Sequence, residues 1–282
     1  MQSQTNKQRW KKWMIGDWSR RRMPLRVVRL LVEVYLGVLV FAWLFSDRLA
    51  FRPPSPTYTE GNGVCRIVTQ DGNRLAVLAL PNAAASPVVL FAHGNGEDLG
   101  GIRGFLDAYR AAGFEVYAFD YRGYGISDGK PGTGNAYEDI QTVYRYLVED
   151  KRIDPNRIIL HGRSLGSGIA LHLATRCPVR GVILESAFLT AFRALTQIPL
   201  LPIDKMRNDR EIRILRRPVL FIHGEDDQTV KCWQGKKLFS EANEPKFAYW
   251  VAHAGHNDVF DTAPVEYWKR IRTFANFAME TN

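Results

Sequence analysis

The strongest constraint on the fold is a strand, turn and helix pattern near the middle of the chain, IILHGRSLGSGIA over residues 158–170. Its first residues predict a short buried strand, and the residues after Ser164 predict a helix. Ser164 lies between Gly162 and Gly166 in a Gly-x-Ser-x-Gly turn. Such a turn is too tight for side chains beside the serine, and it exposes the hydroxyl above the edge of a sheet. The pattern therefore predicts a nucleophilic Ser164 where a helix directs its free N–H groups and positive dipole end.

Two later strands each run into a loop that carries a side chain suited to activating a serine. A predicted strand over residues 218–223 precedes Asp227, and another over residues 247–251 precedes His256. A serine hydroxyl is a weak nucleophile at neutral pH, so it needs a histidine as base and a carboxylate that orients the histidine. The order Ser164, Asp227, His256 is one of the chain orders in which such triads occur. We therefore predict these three residues as nucleophile, acid and base.

Each of the two partners has a neighbour that could take its role. Asp226 competes with Asp227, and the spacing to the following valine favours Asp227. His253 competes with His256, and the glycine directly before His256 favours that residue because it frees the loop.

A second glycine-rich turn, HGNG over residues 93–96, follows a predicted buried strand over residues 87–92. A turn in this position offers a backbone N–H toward the nucleophile. We predict that the N–H groups of Asn95 and Leu165 form an oxyanion hole, in which each donor contributes about 3 kcal/mol to transition-state stabilisation. The side chain of His93 is expected only to hydrogen-bond the backbone.

Two further side chains near these turns, Arg163 and Tyr124, also have expected roles. Arg163 could meet an anionic substrate, but we expect it to pair with a nearby carboxylate such as Glu185. Gly123, Gly125 and Gly129 are expected to be structural turn residues, and Tyr124 is expected to form a wall of the substrate pocket.

Strands alternate with helices along most of the chain, which indicates an α/β fold with a mostly parallel, doubly wound sheet. An antiparallel hairpin is predicted at its start, over residues 64–69 and 75–80. The segment over residues 187–217 is short, which predicts a small lid over the site. Helices are predicted over residues 103–112, 136–149 and 267–279, with further strands over residues 115–119 and 181–184.

The basic character of the chain belongs to its N-terminal part. The 282 residues carry a net charge of +9, and residues 1–29 hold nine lysines and arginines against one aspartate, which is +8. The remaining residues are near neutral, which argues against a nucleic-acid partner. The three cysteines, Cys65, Cys177 and Cys232, are too few and too scattered for a disulfide framework or a zinc site, so no metal is expected.

The N-terminal segment combines this charge with a long apolar run. Residues 30–45 are nearly all apolar, with Glu33 as the exception, and the run extends back to Leu25 if two arginines reach the headgroups. Tryptophans at helical spacing among the basic residues 10–18 are typical of a helix in a headgroup layer. A signal-anchor helix, a cleaved signal peptide and an amphipathic first helix all compete. The long charged lead-in and the poor cleavage site favour the anchor.

The anchor hypothesis sets a domain boundary and a topology. A proline-rich linker over residues 52–56 separates a tail and anchor, residues 1–50, from a catalytic domain, residues 51–282. Because positive charge stays on the cytoplasmic side, the anchor would be single-pass with a cytoplasmic N-terminus. The domain is then expected on the opposite, periplasmic or lumenal or extracellular, side of the membrane.

Five motifs together resemble the α/β-hydrolase superfamily: HGNG, DYRGYGISDG over residues 120–129, GRSLG, HGxxDxxV and GHND. More narrowly, they are similar to the membrane-anchored Bem46/ABHD13-type serine hydrolases, over about residues 51–277. The resemblance implies an α/β-hydrolase fold and esterase, thioesterase or lipase-like activity through an acyl-enzyme intermediate. It implies a small-molecule or lipid acyl substrate and no cofactor.

Other functional classes make different demands on the sequence. A dehalogenase or an epoxide hydrolase would need aspartate in place of Ser164, so the sequence excludes both. A peptidase-type serine hydrolase is an alternative, although an oligopeptidase would need an extra domain to gate its peptide substrates. A non-catalytic, membrane-associated interaction protein is a second alternative.

Overall fold

The structure, a computed structural model, describes residues 23–83, 86–197 and 204–280. The chain forms two compact units that divide after Ser46. The tryptophan-rich pattern predicted over residues 10–18 lies outside the described residues, as does most of the basic tail.

The first unit is the greater part of helix α1, Met23–Ala50. Its 28 residues cover the predicted apolar span and continue five residues beyond it. At 1.5 Å per residue the helix is about 42 Å long, which exceeds the roughly 30 Å of a bilayer core. It is long and apolar enough to cross a membrane, a property that core helices and signal sequences can share. Glu33 lies 2.7 Å from the guanidinium of Arg29, one turn earlier, so the acid in the apolar run has an opposite charge beside it.

An eight-stranded sheet forms the second unit and confirms the predicted fold class. Its strand order is β1-β2-β4-β3-β5-β6-β7-β8. The β1–β2 and β2–β4 pairs are antiparallel, as the predicted hairpin requires, and every later pair is parallel. The strands are β1 (Val64–Val68), β2 (Arg74–Leu80), β3 (Val88–Ala92), β4 (Glu115–Phe119), β5 (Ile158–Arg163), β6 (Gly181–Glu185), β7 (Val219–Gly224) and β8 (Lys246–Val251).

Helices pack on both faces of this sheet, which is the doubly wound arrangement. The three helices predicted in the body of the chain are present as α2, α3 and α9, and two short helices, α5 and α6, lie within the predicted lid segment. The helices after α1 are α2 (Arg103–Ala111), α3 (Thr133–Arg145), α4 (Leu165–Ala174), α5 (Ala191–Thr196), α6 (Asn208–Ile214), α7 (Cys232–Glu241), α8 (Val259–Thr262) and α9 (Pro264–Glu280). A π-helical turn, Tyr146–Asp150, extends α3, and a 3₁₀ turn, Pro155–Arg157, precedes β5.

The sheet separates two hydrophobic cores. Every residue of β3, β5, β6 and β7 is buried, because helices cover both faces of these central strands. Alternate side chains enter opposite cores: Leu90 and Leu160 lie in one, and Phe91 and Ile159 lie in the other. With both faces packed, the open edge at the carboxyl ends of the parallel strands is where side chains can meet a ligand.

Candidate active site

The strand order brings the predicted site residues to one edge of the sheet. Strand β5 pairs with β3, so that Ala92 lies opposite Gly162 and the loop after β3 emerges beside the turn after β5. Strands β7 and β8 follow on the other side of β6. Because all these strands are parallel, their carboxyl ends present the loops that carry Asn95, Asp227 and His256 at the same edge.

Ser164 occupies a strained turn between β5 and α4. Its backbone φ is 51° and its ψ is −116°, which is unusual for a residue with a side chain. A Cβ atom at Gly162 would come within 2.2 Å of the carbonyl oxygen of Gly166, and one at Gly166 within 2.0 Å of the carbonyl oxygen of Ala92. Both flanking positions are therefore closed to any side chain, as the sequence motif predicts.

The structure brings Ser164, His256 and Asp227 together in a hydrogen-bonded chain. The Ser164 Oγ atom lies 2.9 Å from His256 Nε2, and His256 Nδ1 lies 2.6 Å from Asp227 Oδ2. With the proton on Nδ1, the imidazole donates to the carboxylate and Nε2 accepts from the serine hydroxyl. This is the geometry in which a histidine can remove the serine proton.

The Asp227 carboxylate is buried and fully used. Its Oδ1 atom accepts the N–H groups of Thr229 and Val230, each at 2.8 Å, and its Oδ2 atom also lies 3.1 Å from His223 Nε2. Burial by itself would raise the pKa of Asp227. The hydrogen bonds from His223 and His256 outweigh this and hold that pKa well below its usual range. The group is therefore a carboxylate at any pH near neutrality.

The two residues that competed for the roles of base and acid, His253 and Asp226, are not part of this hydrogen-bonded chain. The His253 side chain is 92% exposed, and its Nδ1 atom lies 3.8 Å from Asp226 Oδ2. The Asp226 side chain is 65% exposed. They form a surface pair with each other, so this geometry favours Asp227 and His256 as the partners of Ser164.

Side-chain contacts as well as the backbone hold the turn after β3 in place. The Asn95 Oδ1 atom accepts the backbone N–H of Arg52 at 2.6 Å and the hydroxyl of Tyr124 at 3.0 Å. Tyr124 is fully buried, so it supports the turn from behind and does not form a pocket wall. Among the residues that the structure describes, none accepts a hydrogen bond from the N–H of Asn95 or of Leu165. Both N–H groups are free for a ligand.

His93 and Arg163 have structural partners. His93 is buried, with Nδ1 2.8 Å from the carbonyl oxygen of Gly94 and Nε2 3.2 Å from Asp120. Its bond to the backbone was predicted, whereas its contact with Asp120 was not. The Nε of Arg163 donates to Glu185 Oε1 at 2.8 Å, which confirms the expected pair.

Glu185 is ionised because its neighbours stabilise the charge. Burial alone would raise the pKa of this carboxyl, but Arg163 in the first place, with His161 and Tyr267, holds that pKa well below its usual range. The Tyr267 hydroxyl donates to Glu185 Oε2 at 2.5 Å, and His161 Nε2 lies 3.2 Å from the same oxygen. A buried ion pair thus lies directly beneath the turn that carries Ser164.

A cavity of about 350 Å³ opens in front of Ser164. One side of it is polar and contains Glu97, Arg163 and His256, and the other side is mainly apolar. The apolar wall comes from four parts of the chain: the last turn of α1, the region of α5, the segment before α6 and the loop after β7. Its residues are Leu49, Ala50, Phe188, Ala191, Ala194, Met206 and Val230.

Sequence reasoning missed several of these contacts. His223 is the last residue of the predicted strand over residues 218–223 and was given no role, yet it contacts the carboxylate of Asp227. Glu97 and Leu49 were not singled out, although both line the cavity. Strand and helix periodicity gives no signal for such side-chain contacts, because they join segments that are far apart in the sequence.

No metal site is visible in the described ranges: within residues 23–83, 86–197 and 204–280, no three His, Cys, Asp or Glu side chains are grouped as ligands.

Comparison with known proteins identifies relatives over most of the chain. The family model described as "Serine aminopeptidase, S33" matches residues 83–208. Alpha/beta hydrolase domain-containing protein 17B of Homo sapiens is 31% identical, with 82% of this chain and 90% of that protein covered. An uncharacterized protein of Mycobacterium tuberculosis is also 31% identical, with 85% of this chain and 90% of that protein covered.

A solved structure shares the fold. An esterase of Pyrococcus furiosus superposes with a TM-score of 0.68 at 20% identity, covering 81% of this chain and 99% of the esterase. At this level of identity the likeness extends to the fold and not to the substrate.

The turn of residues 162–166 that carries Ser164, here called the elbow, lies close to β3, and this leads to a prediction about Gly166. We expect Gly166→Ala to lower the free energy of unfolding by at least 3 kcal/mol or to prevent folding, because the new methyl group overlaps a backbone carbonyl that cannot move alone. Thermal or denaturant unfolding measures the change.

The matched control is Gly134→Ala in α3, where an added Cβ meets nothing within 4 Å. This variant should be neutral or gain about 0.5–1 kcal/mol, because alanine favours a helix over glycine. Equal stability of the two variants would contradict the close approach at Gly166.

Proposed function

This chain belongs to the α/β-hydrolase superfamily, and we propose that it is a serine hydrolase that cleaves carboxylic ester or thioester bonds of acyl substrates. The observation that carries the proposal is the unbroken chain from Ser164 Oγ through His256 to Asp227, which opens into a cavity with an apolar wall. The hydrolase fold and relatives of the chain support it. We further propose membership of the Bem46/ABHD13-type subfamily, which the five sequence motifs favour.

In the proposed reaction, Ser164 Oγ attacks the acyl carbonyl while His256 Nε2 takes its proton. The carbonyl oxygen becomes an oxyanion, which the N–H groups of Asn95 and Leu165 stabilise by about 3 kcal/mol each. Leu165 begins α4, so the positive end of the helix dipole acts on the same oxygen. The buried carboxylate of Asp227 stabilises the imidazolium that forms.

The second half of the reaction uses the same groups. His256 returns its proton to the leaving alcohol or thiol, and the acyl group stays on Ser164 as an ester. Water then enters, His256 removes its proton, and the second tetrahedral intermediate releases the carboxylic acid and restores the serine. No step needs a group beyond the chain and water.

The cavity suits an apolar acyl group. Its wall includes Leu49, Phe188, Met206 and Val230, and a volume of about 350 Å³ lies within the range of small-ligand pockets. Apolar contacts fix the acyl part, while the polar side of the cavity faces the reacting bond. The substrate class is therefore a small-molecule or lipid acyl compound.

We also propose that residues 1–46 attach the enzyme to a membrane and that residues 47–282 form the catalytic domain, with the boundary four residues before the one predicted from the sequence. Helix α1 is long and apolar enough to span a membrane, and its large apolar side chains are exposed. Its last turn belongs to the second unit, where Asp47 accepts the N–H and hydroxyl of Thr133 and pairs with Lys205. The basic tail favours a cytoplasmic N-terminus, with the domain on the opposite side.

Replacing the nucleophile is the direct test of the function. Ser164→Ala should lower p-nitrophenyl ester hydrolysis by a factor of at least 10³ and prevent labelling by a fluorophosphonate probe. Thermal stability should stay nearly unchanged, because the substitution removes one hydroxyl group. An unlabelled wild-type chain would instead favour the non-catalytic interaction protein, and turnover of peptide p-nitroanilides but not of esters would favour a peptidase.

The two neighbouring aspartates provide a matched pair of variants. Asp227→Asn should lower kcat by about 10³- to 10⁴-fold, because an amide no longer stabilises the imidazolium or fixes its tautomer. Asp226→Asn changes a residue 65% exposed and should leave kcat within about twofold. Kinetics with one ester compare the two, and the reverse ranking would give the acid role to Asp226.

The anchor can be separated from the enzyme by removing residues 1–46, which leaves Asp47 and the pocket wall in place. We expect the shortened chain to be soluble and to hydrolyse a short, water-soluble ester at a rate close to that of the full chain. The full chain should sediment with membranes and need detergent for release, because high salt screens charge but does not weaken apolar burial.

Release of the full chain by salt alone would contradict a spanning helix and leave only a peripheral one. Protease treatment of sealed membranes tests the topology. The domain should resist protease that is added on the cytoplasmic side, and it should be digested by protease that is added on the opposite side. These outcomes concern attachment only, and the hydrolase proposal is tested separately by Ser164→Ala.

A further inference from the structure

We propose that Glu97 and Arg163 are positioning residues that hold the Gly94–Asn95 turn in place over Ser164. The proposal rests on the proposed hydrolase function, since it concerns the turn that is to bind the oxyanion. It assigns a role in the reaction to an ion pair that contains none of the triad residues.

The Glu97 carboxylate joins two loops by its two oxygen atoms. Its Oε2 atom accepts the backbone N–H of Gly94 at 2.6 Å, which fixes the turn after β3. Its Oε1 atom accepts from Nη1 of Arg163 at 3.2 Å. Arg163 is the last residue of β5 and directly precedes Ser164. One side chain therefore connects the turn after β3 to the residue beside the nucleophile.

Arg163 is itself held rigidly. Its Nε atom donates to Glu185 Oε1 at 2.8 Å, and its guanidinium carbon lies 4.2 Å from the centre of the Phe105 ring. Glu185 belongs to the neighbouring strand β6 and is buried. A planar guanidinium can bind one carboxylate through Nε and another through Nη1, which a lysine ammonium cannot do with the same geometry. Glu97 is thus attached to the sheet, not to a mobile surface side chain.

The turn passes close enough to Ser164 for small shifts to matter. A Cβ atom at Gly94 would lie 3.6 Å from the Cβ atom of Ser164 and 3.0 Å from Glu97 Oε2. The N–H of Gly94 is occupied by Glu97, whereas the N–H of the next residue, Asn95, has no acceptor among the described residues. A displacement of about 1 Å at a reacting group can cost 10²-fold in rate, so a loose turn would impair catalysis without removing any catalytic residue.

A second set of contacts holds the other side of the turn. The Asn95 side chain accepts from the Arg52 backbone and from Tyr124, as described above. These contacts fix the position of the side chain, whereas Glu97 fixes the backbone next to the N–H that faces the substrate. Loss of Glu97 should therefore move the donor while leaving the turn folded.

The experiment compares Glu97→Ala with Glu97→Gln in the full chain in detergent. The glutamine keeps an oxygen that can accept the N–H of Gly94, whereas alanine has none. We expect Glu97→Ala to lower kcat for p-nitrophenyl butyrate about 10- to 100-fold with KM within about twofold, because the turn binds the transition state and not the ground state. Glu97→Gln should recover only part of this loss, because its single oxygen can accept from Gly94 whereas its NH2 group cannot accept from Arg163.

The rate of inactivation by a fluorophosphonate gives a second readout, because the phosphonyl oxygen also needs the oxyanion turn. It should fall in parallel with kcat in Glu97→Ala. Glu266→Gln is the matched control, since Glu266 forms an exposed ion pair with Arg270 on α9 and does not line the cavity. Its kcat, KM and inactivation rate should match those of the wild type.

A double-mutant cycle tests whether the two residues act together. Arg163→Met should lower kcat in the wild type, and it should lower kcat much less in the Glu97→Ala background. If Arg163→Met fails to fold because Glu185 loses its partner, the two Glu97 variants still decide the question.

Three outcomes would overturn the proposal. The first is a wild-type kcat in Glu97→Ala, and the second is an equal loss of kcat in the alanine and glutamine variants. The third is a loss of kcat that is accompanied by a lower melting temperature and a higher KM. A failure of the hydrolase function itself is distinct from these, because the wild-type chain would then neither hydrolyse the ester nor react with the fluorophosphonate, and a wrong nucleophile would appear as an active Ser164→Ala enzyme.

Discussion

The candidate site depends on the close approach of the elbow backbone to strand β3. At Gly166 a Cβ atom would lie 2.0 Å from the carbonyl oxygen of Ala92 and 2.8 Å from that of His93. Contact this close fixes the start of α4, and with it the φ of 51° at Ser164. Ser164, the helix N-terminus and the turn after β3 therefore take their positions from backbone packing, and the strain at Ser164 is borne by a fully packed sheet.

Behind the elbow, buried charge replaces the apolar packing that is usual in a core. Arg163 and Glu185 form an ion pair under Ser164, and His161 and Tyr267 contact the same carboxylate. Removing charges from water is costly, and an apolar set of the same size could be at least as stable. The ion pair instead fixes the orientation of these side chains, because hydrogen bonds define where each group lies. Under the proposed reaction, the site must hold an oxyanion donor to a fraction of an ångström, and such rigidity would serve this.

The substrate cavity depends on parts of the chain that are distant in sequence. Leu49 and Ala50 come from the last turn of α1, while Met206 comes from the segment before α6. The predicted lid segment, residues 187–217, is short. The end of α1 forms a part of the cavity wall that a larger lid could otherwise form. Under the proposed membrane attachment, the same helix would anchor the enzyme and line its pocket. Attachment and substrate binding would then share a structural element.

The sequence alone determined the alternation of strands and helices, and with it the α/β fold, because these patterns are local and repeat with the period of each element. It also located Ser164, Asp227 and His256 as candidates, since each follows a predicted strand and parallel strands end at one edge. Only the tertiary structure decided which neighbouring side chains meet them. The bonds of Glu97 and the place of Leu49 in the cavity depend on how distant segments pack, and packing leaves no periodic signal in the chain.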